Sequence, residues 1–420
     1  MPEGPGKKTF IVLVHLISLL VLIRLVAVAY NDIILKKKNL QNLSLAIKII
    51  PDDAGNYYDL GLVWQYDLFN RDLNGAIGFY RTALRKNPLF SRALISLANA
   101  YQAAGRKREA FLAVDSYRKL TPNNTDSLWK VAVFYLVNSD RVDKAMEYFE
   151  KLIETDPGLQ TRVYDVCYQM KLSNKYIMNH LLKDKAGLYP SYLGYLISHG
   201  KLGDAMEFYN NVSHKLINEK AGMKLCNFLI KNKRYNDAFS VWEEMLGKLR
   251  KRYYSEGSLL SNGGFESDIN NGCFDWVVGK ARGVKIYEDH SLHLEGRRSL
   301  GISFSGEYNV ALDVIRQLVL LAPENSYLLK AYVKTDGLTT TNGLFFEARG
   351  YDCNKIYARS DVITGTNSWS SPVSLRFSVP PDCRVVKISL RRQKSRKFNN
   401  KIKGNAWVDG VQLIRLKTGP

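Results

Sequence analysis

Glu347 and Asp352 stand close together in a polar stretch. Paired carboxylates held about 5–10 Å apart are what a glycosidase uses as acid and base. A strand and its following loop meet that spacing by chance, and no other catalytic signal joins the pair. The histidines (His15, His180, His199, His214, His290 and His293) show neither HExxH nor another metal-ligand spacing. No GxSxG elbow, phosphate-binding glycine loop or dinucleotide fingerprint occurs. The chain therefore reads as non-enzymatic, and the chemistry on offer is recognition.

Period-2 alternation sorts the recognition residues. Tyr327–Lys334 puts Leu329, Ala331 and Val333 on one face and leaves Lys330 and Tyr332 on the other. Leu344–Tyr351 leaves Glu347, Arg349 and Tyr351 opposite Leu344, Phe346 and Ala348. Val385–Arg391 leaves Lys387 and Arg391 opposite Val386, Ile388 and Leu390. An aromatic ring covers the apolar side of a sugar, while charged groups bond its hydroxyls or carboxylates. Tyr332, Glu347, Arg349, Tyr351, Lys387 and Arg391 are thus the expected carbohydrate contacts; the other reading is a solvated outer face. Trp276, Trp369 and Trp407 fall among core-pattern residues, which favours packing over sugar stacking.

Charge narrows the partners. Lys and Arg number 60 against 40 Asp and Glu, a formal charge of +20 with local peaks at Lys248–Arg252 and Arg391–Lys403. Anionic polysaccharide, anionic lipid headgroups and nucleic acid all suit such a surface, but no nucleic-acid module is present. Arg392, Lys394, Arg396 and Lys397 lie between two strand patterns and predict a long, exposed hairpin loop that contacts acidic polysaccharide or lipid headgroups; the alternative is a merely solvated loop. Among the cysteines, Cys167 and Cys226 sit on apolar helical faces, whereas Cys353 and Cys383 flank strands. A Cys353–Cys383 disulfide is feasible if those strands are neighbours and the compartment is oxidising.

The elements that must position these residues fall into three blocks. Thr9–Ala29 is apolar except for His15, Ser18 and Arg24, and its 21 residues match the length of a bilayer-crossing helix. Lys7 and Lys8 favour a cytoplasmic N-terminus for residues 1–8, with Lys36–Lys38 as a weaker opposing signal. Ala27-Val28-Ala29 has the form of a signal-peptidase site, so cleavage is the alternative to a membrane anchor over 9–29. Either way the bulk of the chain is expected outside the cytoplasm, held at an inner membrane and facing a periplasm.

Residues 31–250 are helical and repetitive. Pro51, Pro88, Pro122 and Pro157 are spaced 37, 34 and 35 residues apart. Leu97, Ala98, Tyr101, Gly105, Ala110, Tyr117 and Pro122 fall where tetratricopeptide (TPR) units have such residues, and this stretch resembles that family. Ala76, Ala110, Ala145, Ala205 and Ala238 take the position where paired helices cross, and a degenerate unit fits near 160–187. The resemblance implies a groove for a protein partner, lined by Arg92, Ile95, Asn99 and Gln102 and, in the next unit, by Asp126, Trp129, Val133 and Leu136; the alternatives are that the polar residues are only solvated, or that the C-terminal module itself is the occupant.

From residue 258 to 418 short alternating strands separated by Gly, Pro, Asn and Asp clusters predict a two-sheet antiparallel sandwich. Asn262-Gly263-Gly264-Phe265-Glu266 opens this block, and Trp407-Val408-Asp409-Gly410-Val411-Gln412-Leu413 closes it. Both motifs resemble those of jelly-roll carbohydrate-binding modules of the galactose-binding-like superfamily. That resemblance implies one structural Ca²⁺ held by Glu266 and Asp409; the alternative is that both carboxylates only cap turns. The order anchor, TPR solenoid and jelly roll resembles TPR proteins of bacterial exopolysaccharide functions. It implies a non-enzymatic scaffold whose repeats hold a protein while the β module contacts polysaccharide. The rival is a protein–protein assembly factor whose jelly roll binds no sugar.

Overall fold

The computed structural model describes residues 5–36, 39–69, 71–138, 141–183, 185–212, 217–247 and 253–416. Residues 1–4, Lys37-Lys38 and the basic peak Lys248–Arg252 lie outside them. The chain forms two compact units, Met1–Asp184 and Lys185–Pro420.

The first unit opens with α1 (Pro5–Ile34), which runs unbroken through Ala27–Ala29. Its segment Val12–Ile34 is long and apolar enough to cross a membrane. The last turn of α1 is tied to the helices that follow, α2 (Leu40–Ile49) and α3 (Ala54–Tyr66). Asn56 Nδ2 donates to Asn31 Oδ1 (3.2 Å), Asn42 Nδ2 donates to Ile34 O (3.0 Å), and Asn31 is buried.

Helical hairpins follow. In the first unit α3 pairs with α4 (Leu73–Lys86), α5 (Ser91–Ala103) with α6 (Lys107–Leu120), and α7 (Thr125–Asn138) with α8 (Val142–Thr155). The short helices α9 (Gln160–Gln169) and α10 (Asn174–His180) occupy the expected degenerate unit. In the second unit α11 (Tyr189–Ser198) pairs with α12 (Leu202–Asn211), and α13 (Glu219–Lys231) with α14 (Tyr235–Leu246). The crossing alanines Ala76, Ala110, Ala145, Ala205 and Ala238 lie on the second helix of each hairpin and have no exposed surface. A larger side chain there would push the paired axes apart.

One turn design recurs. In the α5–α6 hairpin Gly105 (φ 75°) lets the Arg106 N–H reach back to Tyr101 O at 2.8 Å. Gly200 (φ 70°) does the same for Lys201 and Leu196 O at 2.9 Å. Lys233 (φ 59°) adopts that left-handed conformation without glycine, and Arg234 N–H still reaches Leu229 O at 2.9 Å. The reach-back bond satisfies a carbonyl that the helix end would leave open.

The rest of the second unit is a sandwich. Its strands are β1 (Val277–Val278), β2 (Val284–Asp289), β3 (Ser299–Ser305), β4 (Leu312–Leu320), β5 (Ser326–Leu338), β6 (Phe345–Gly350), β7 (Ile356–Arg359), β8 (Gly365–Asn367), β9 (Val373–Ser378), β10 (Val385–Arg392) and β11 (Lys403–Arg415). One sheet runs β1–β4–β10–β6–β7; the other runs β2–β3–β11–β5–β8, with β9 also on β5. Phe346, Ala348, Ile388 and Leu390 of the first pack into one core with Leu329, Ala331, Val333 and Val408 of the second. The opening and closing motifs touch. A Cβ on Gly263 would lie 1.9 Å from Val411 O, and Val411 N–H donates to Gly263 O at 2.9 Å. Only glycine fits that approach. Trp276 and Trp407 are buried as expected, but Trp369 is half-exposed in the β8–β9 loop and outside the core.

The last helical hairpin packs on this sandwich within the same unit. Asn227 Oδ1 accepts from Cys273 N–H (2.9 Å), and Phe239 meets Phe274 edge-on with ring centres 5.2 Å apart.

Candidate functional site

The five-stranded sheet turns Phe346, Ala348, Ile388 and Leu390 inward, so its alternate residues face outward in rows set by the register. Arg359, Glu347, Ser389 and Arg316 form one row across β7, β6, β10 and β4. Arg349, Lys387 and Leu318 form the next, and Phe345, Arg391 and Asp313 another.

Glu347 has no exposed side-chain surface and is the hub. Arg349 Nε donates to Oε1 at 2.9 Å, Arg391 Nη1 to Oε1 at 2.5 Å and Arg359 Nε to Oε2 at 2.7 Å. Burial by itself would raise the carboxyl's pKa, but the bonds from Arg349, Arg359 and Arg391 outweigh it and hold the group at about 2. A carboxyl so held is ionised at ordinary pH. Asp313 anchors the other side of the network, 3.0 Å from Lys387 Nζ and 3.2 Å from Arg391 Nε. The guanidinium of Arg359 also lies 5.5 Å from the centre of the Phe345 ring. Ser389 Oγ is buried in the middle of the face and has no hydrogen-bond partner among the described residues.

The structure thus brings Glu347, Arg349, Lys387 and Arg391 together. Tyr332 belongs to β5 and the other sheet, opposite Asp409 of β11, so it does not share their face. Tyr351 lies past the end of β6, where its ring meets that of Tyr235 on α14 edge-on at 6.4 Å. Asp352 beside it accepts a short hydrogen bond from the Tyr235 hydroxyl, so it faces the helix rather than Glu347. Asp313, Arg316 and Arg359 are members of the cluster that period-2 reading missed. Their polar positions in β4 and β7 were visible, but the pairing that brings them beside Glu347 was not.

Cys353 and Cys383 are unbonded thiols that converge over Gly350, where a Cβ would meet their sulfurs at 2.2 and 2.7 Å. The Tyr357 hydroxyl stands 3.4 Å from Cys353 Sγ.

Glu266 and Asp409 also meet, around Gly264. Asp409 Oδ2 accepts from the N–H groups of Leu294 (2.8 Å) and Glu295 (3.1 Å), and Glu266 Oε1 from those of Arg297 (2.9 Å) and Arg298 (3.3 Å). These bonds cap the β2–β3 loop, and N–H donors add nothing to a cation's shell. Among the described residues no group of three or more His, Cys, Asp or Glu is placed to hold a metal ion.

The basic connection after β10 differs from its expectation in two ways. β10 pairs with β4 and β6 while β11 pairs with β3 and β5, so residues 393–402 cross between sheets and form no hairpin. Arg392 is not a surface contact but fully buried. Its guanidinium donates to Asn342 O (3.0 Å), Asn400 O (2.8 Å), Val310 O and Asn309 Oδ1 (3.4 Å). It staples three loops. Lys394, Arg396 and Lys397 are exposed as expected.

In the first unit Arg92, Ile95, Asn99, Trp129 and Val133 line one groove with Tyr58, a cavity of about 710 Å³ between α3, α5 and α7. Gln102 is tied instead to Asn138 O at 3.1 Å, and Leu136 turns into the core. Arg162 lies 4.0 Å over the Trp129 ring.

No protein-family model and no curated protein matches the chain. Solved structures do. A CBM4 structure matches 37% of this chain and 99% of its own length, at 15% identity and a TM-score of 0.29. YrrB, a TPR protein with an unusual peptide-binding site, matches 50% of this chain and 93% of its own, at 13% identity and a TM-score of 0.24. MamA matches 28% and 67%, at 20% identity and a TM-score of 0.25. The architecture itself is a helical-repeat segment followed by an antiparallel β-sandwich, behind an apolar N-terminal helix.

Proposed function

We propose that the protein is a non-enzymatic scaffold: its helical repeats hold a protein partner, and the outer face of its five-stranded sheet contacts an acidic polysaccharide. The observation that carries this reading is the charge on that face. Among the described residues, Arg316, Arg349, Arg359, Lys387 and Arg391 stand there against Glu347 and Asp313. Planar guanidinium groups held in place by a buried carboxylate suit carboxylate or sulfate groups spaced along a polymer. The groove between α3, α5 and α7, with Arg92 and Asn99 beside Ile95, Trp129 and Val133, suits a peptide segment with both polar and apolar side chains.

In this reading α1 is a membrane anchor, the bulk of the chain faces a periplasm, and the setting is exopolysaccharide synthesis or export. Glu266 and Asp409 serve as loop caps, and a Ca²⁺ beside them would need backbone carbonyls for its shell. The rival reading is an assembly factor whose sandwich binds no sugar. It is favoured by the packing of α13 and α14 on the sandwich within one unit.

Affinity electrophoresis of the full chain through gels containing a uronic-acid polymer tests the proposal. Arg316→Ser with Lys387→Gln, neither of which holds Glu347, should weaken retention about tenfold or more. Unchanged retention would remove the sheet face as the contact and favour the rival.

A further inference from the structure

The connection between β10 and β11 carries a second surface, separate from the sheet face. We infer that its tip is a docking surface for an anionic lipid bilayer. Its base is rigid. Besides the Arg392 bonds, Asn309 Nδ2 donates to Ser395 O (2.8 Å), Asn309 Oδ1 accepts from Ser395 N–H (3.0 Å) and Asn342 Nδ2 donates to Gln393 O (2.7 Å). Beyond this base Lys394, Arg396, Lys397 and Lys401 are exposed, and none of them makes an ion pair among the described residues. Phe398 stands among them with its whole side chain in water, at 106% relative exposure.

A single exposed phenyl ring is ordinary on a protein surface. One flanked along the chain by cations without ion pairs, on a loop whose base is held by hydrogen bonds, is a different arrangement. An acidic glycan would answer the charges and lay a sugar against one face of the ring, leaving the other face in water. A bilayer surface takes both, because headgroup phosphates meet the cations while the ring enters the interface. The stapled base means little ordering cost is added on docking. Among the described residues no acidic side chain pairs with the tip cations, which leaves them open to an anion from outside.

The test keeps the full chain and satisfies α1 first. The protein is placed in neutral phosphatidylcholine nanodiscs, then mixed with vesicles of phosphatidylcholine alone or with phosphatidylglycerol, and flotation is scored. The discs should float with the phosphatidylglycerol vesicles only. Phe398→Ser, and separately Lys394→Ser with Arg396→Ser and Lys397→Ser, should each lower flotation about tenfold or more, with melting curves unchanged. Absence of flotation by the unaltered protein would overturn the inference. So would a Phe398→Ser variant that floats normally, since binding that ignores the ring is binding to a polyanion rather than to a bilayer.

Discussion

Two cationic regions of the sandwich are built from the same residue types and solve opposite problems. On the five-stranded sheet, guanidinium groups gather around a carboxylate that has no contact with water, and Asp313 holds Lys387 and shares Arg391 beside it. In the β10–β11 connection, Lys394, Arg396, Lys397 and Lys401 have no acid to meet among the described residues. Adjacent residues mark the division: Arg391 points out to Glu347, and Arg392 is sealed inside among backbone oxygens. Charge in the first region is largely settled within the fold, so what remains is shape and a modest excess. Charge in the second is open to solution. A count of basic residues cannot separate these cases, but the partners of each guanidinium can.

The contrast is broken most severely at Arg392. Arg392→Ala leaves the carbonyls of Val310, Asn342 and Asn400 without a donor in a buried site, and should cost about 3 kcal/mol. That is roughly a 6–12 °C fall in melting temperature by calorimetry. The neighbouring tip charges should cost under about 0.5 kcal/mol when replaced by Ser. Comparable losses from both would mean the buried and exposed cations had been wrongly sorted.

Glu347→Gln sharpens the comparison from the acidic side. It removes the anion shared by Arg349, Arg359 and Arg391, and should destabilise the protein by about 2–3 kcal/mol at pH 7. The carboxyl's folded pKa of about 2 lies below its ordinary 4.5. Its contribution is therefore complete above about pH 5 and lost as pH falls toward 2. Denaturation across that range should show the deficit of the variant shrinking with acid. A deficit independent of pH would mean that packing, not charge, is what Glu347 supplies.

Much of the fold is legible in local pattern. The alanine spacing marks the helix crossings because a close approach between neighbours in sequence leaves a local signature. Alternation likewise sorts Leu329, Phe346 and Ile388 into the core. What pattern does not carry is which strands pair. β4, β10 and β6 come from residues 312–320, 385–392 and 345–350, and their neighbourhood is fixed by the closed sandwich rather than by any local run. Alternation alone groups Tyr332 with Arg349 for that reason, although it lies on the other sheet. Strand order also explains the supposed hairpin: β10 and β11 follow one another in sequence and sit in different layers. The burial of Arg392 left a faint signal, since it follows Leu390 at the period of the core face.

The smallest expected effect lies away from both regions, at the turn between α13 and α14. Lys233→Gly should relieve the left-handed backbone and raise stability by about 0.5 kcal/mol, visible as a small rise in the denaturant midpoint. A fall instead would show that the lysine side chain contributes more than its backbone costs.

The central claim is that the outer sheet face reads negative charge on a polysaccharide. The most direct measurement is calorimetric titration of the full chain with one uronic-acid polymer before and after its carboxylates are reduced to hydroxymethyl groups. Binding to the acidic polymer should weaken as salt rises through ~0.15 M, and should fall at least about tenfold on reduction. Equal affinity for the two polymers, or binding to neither, would contradict it.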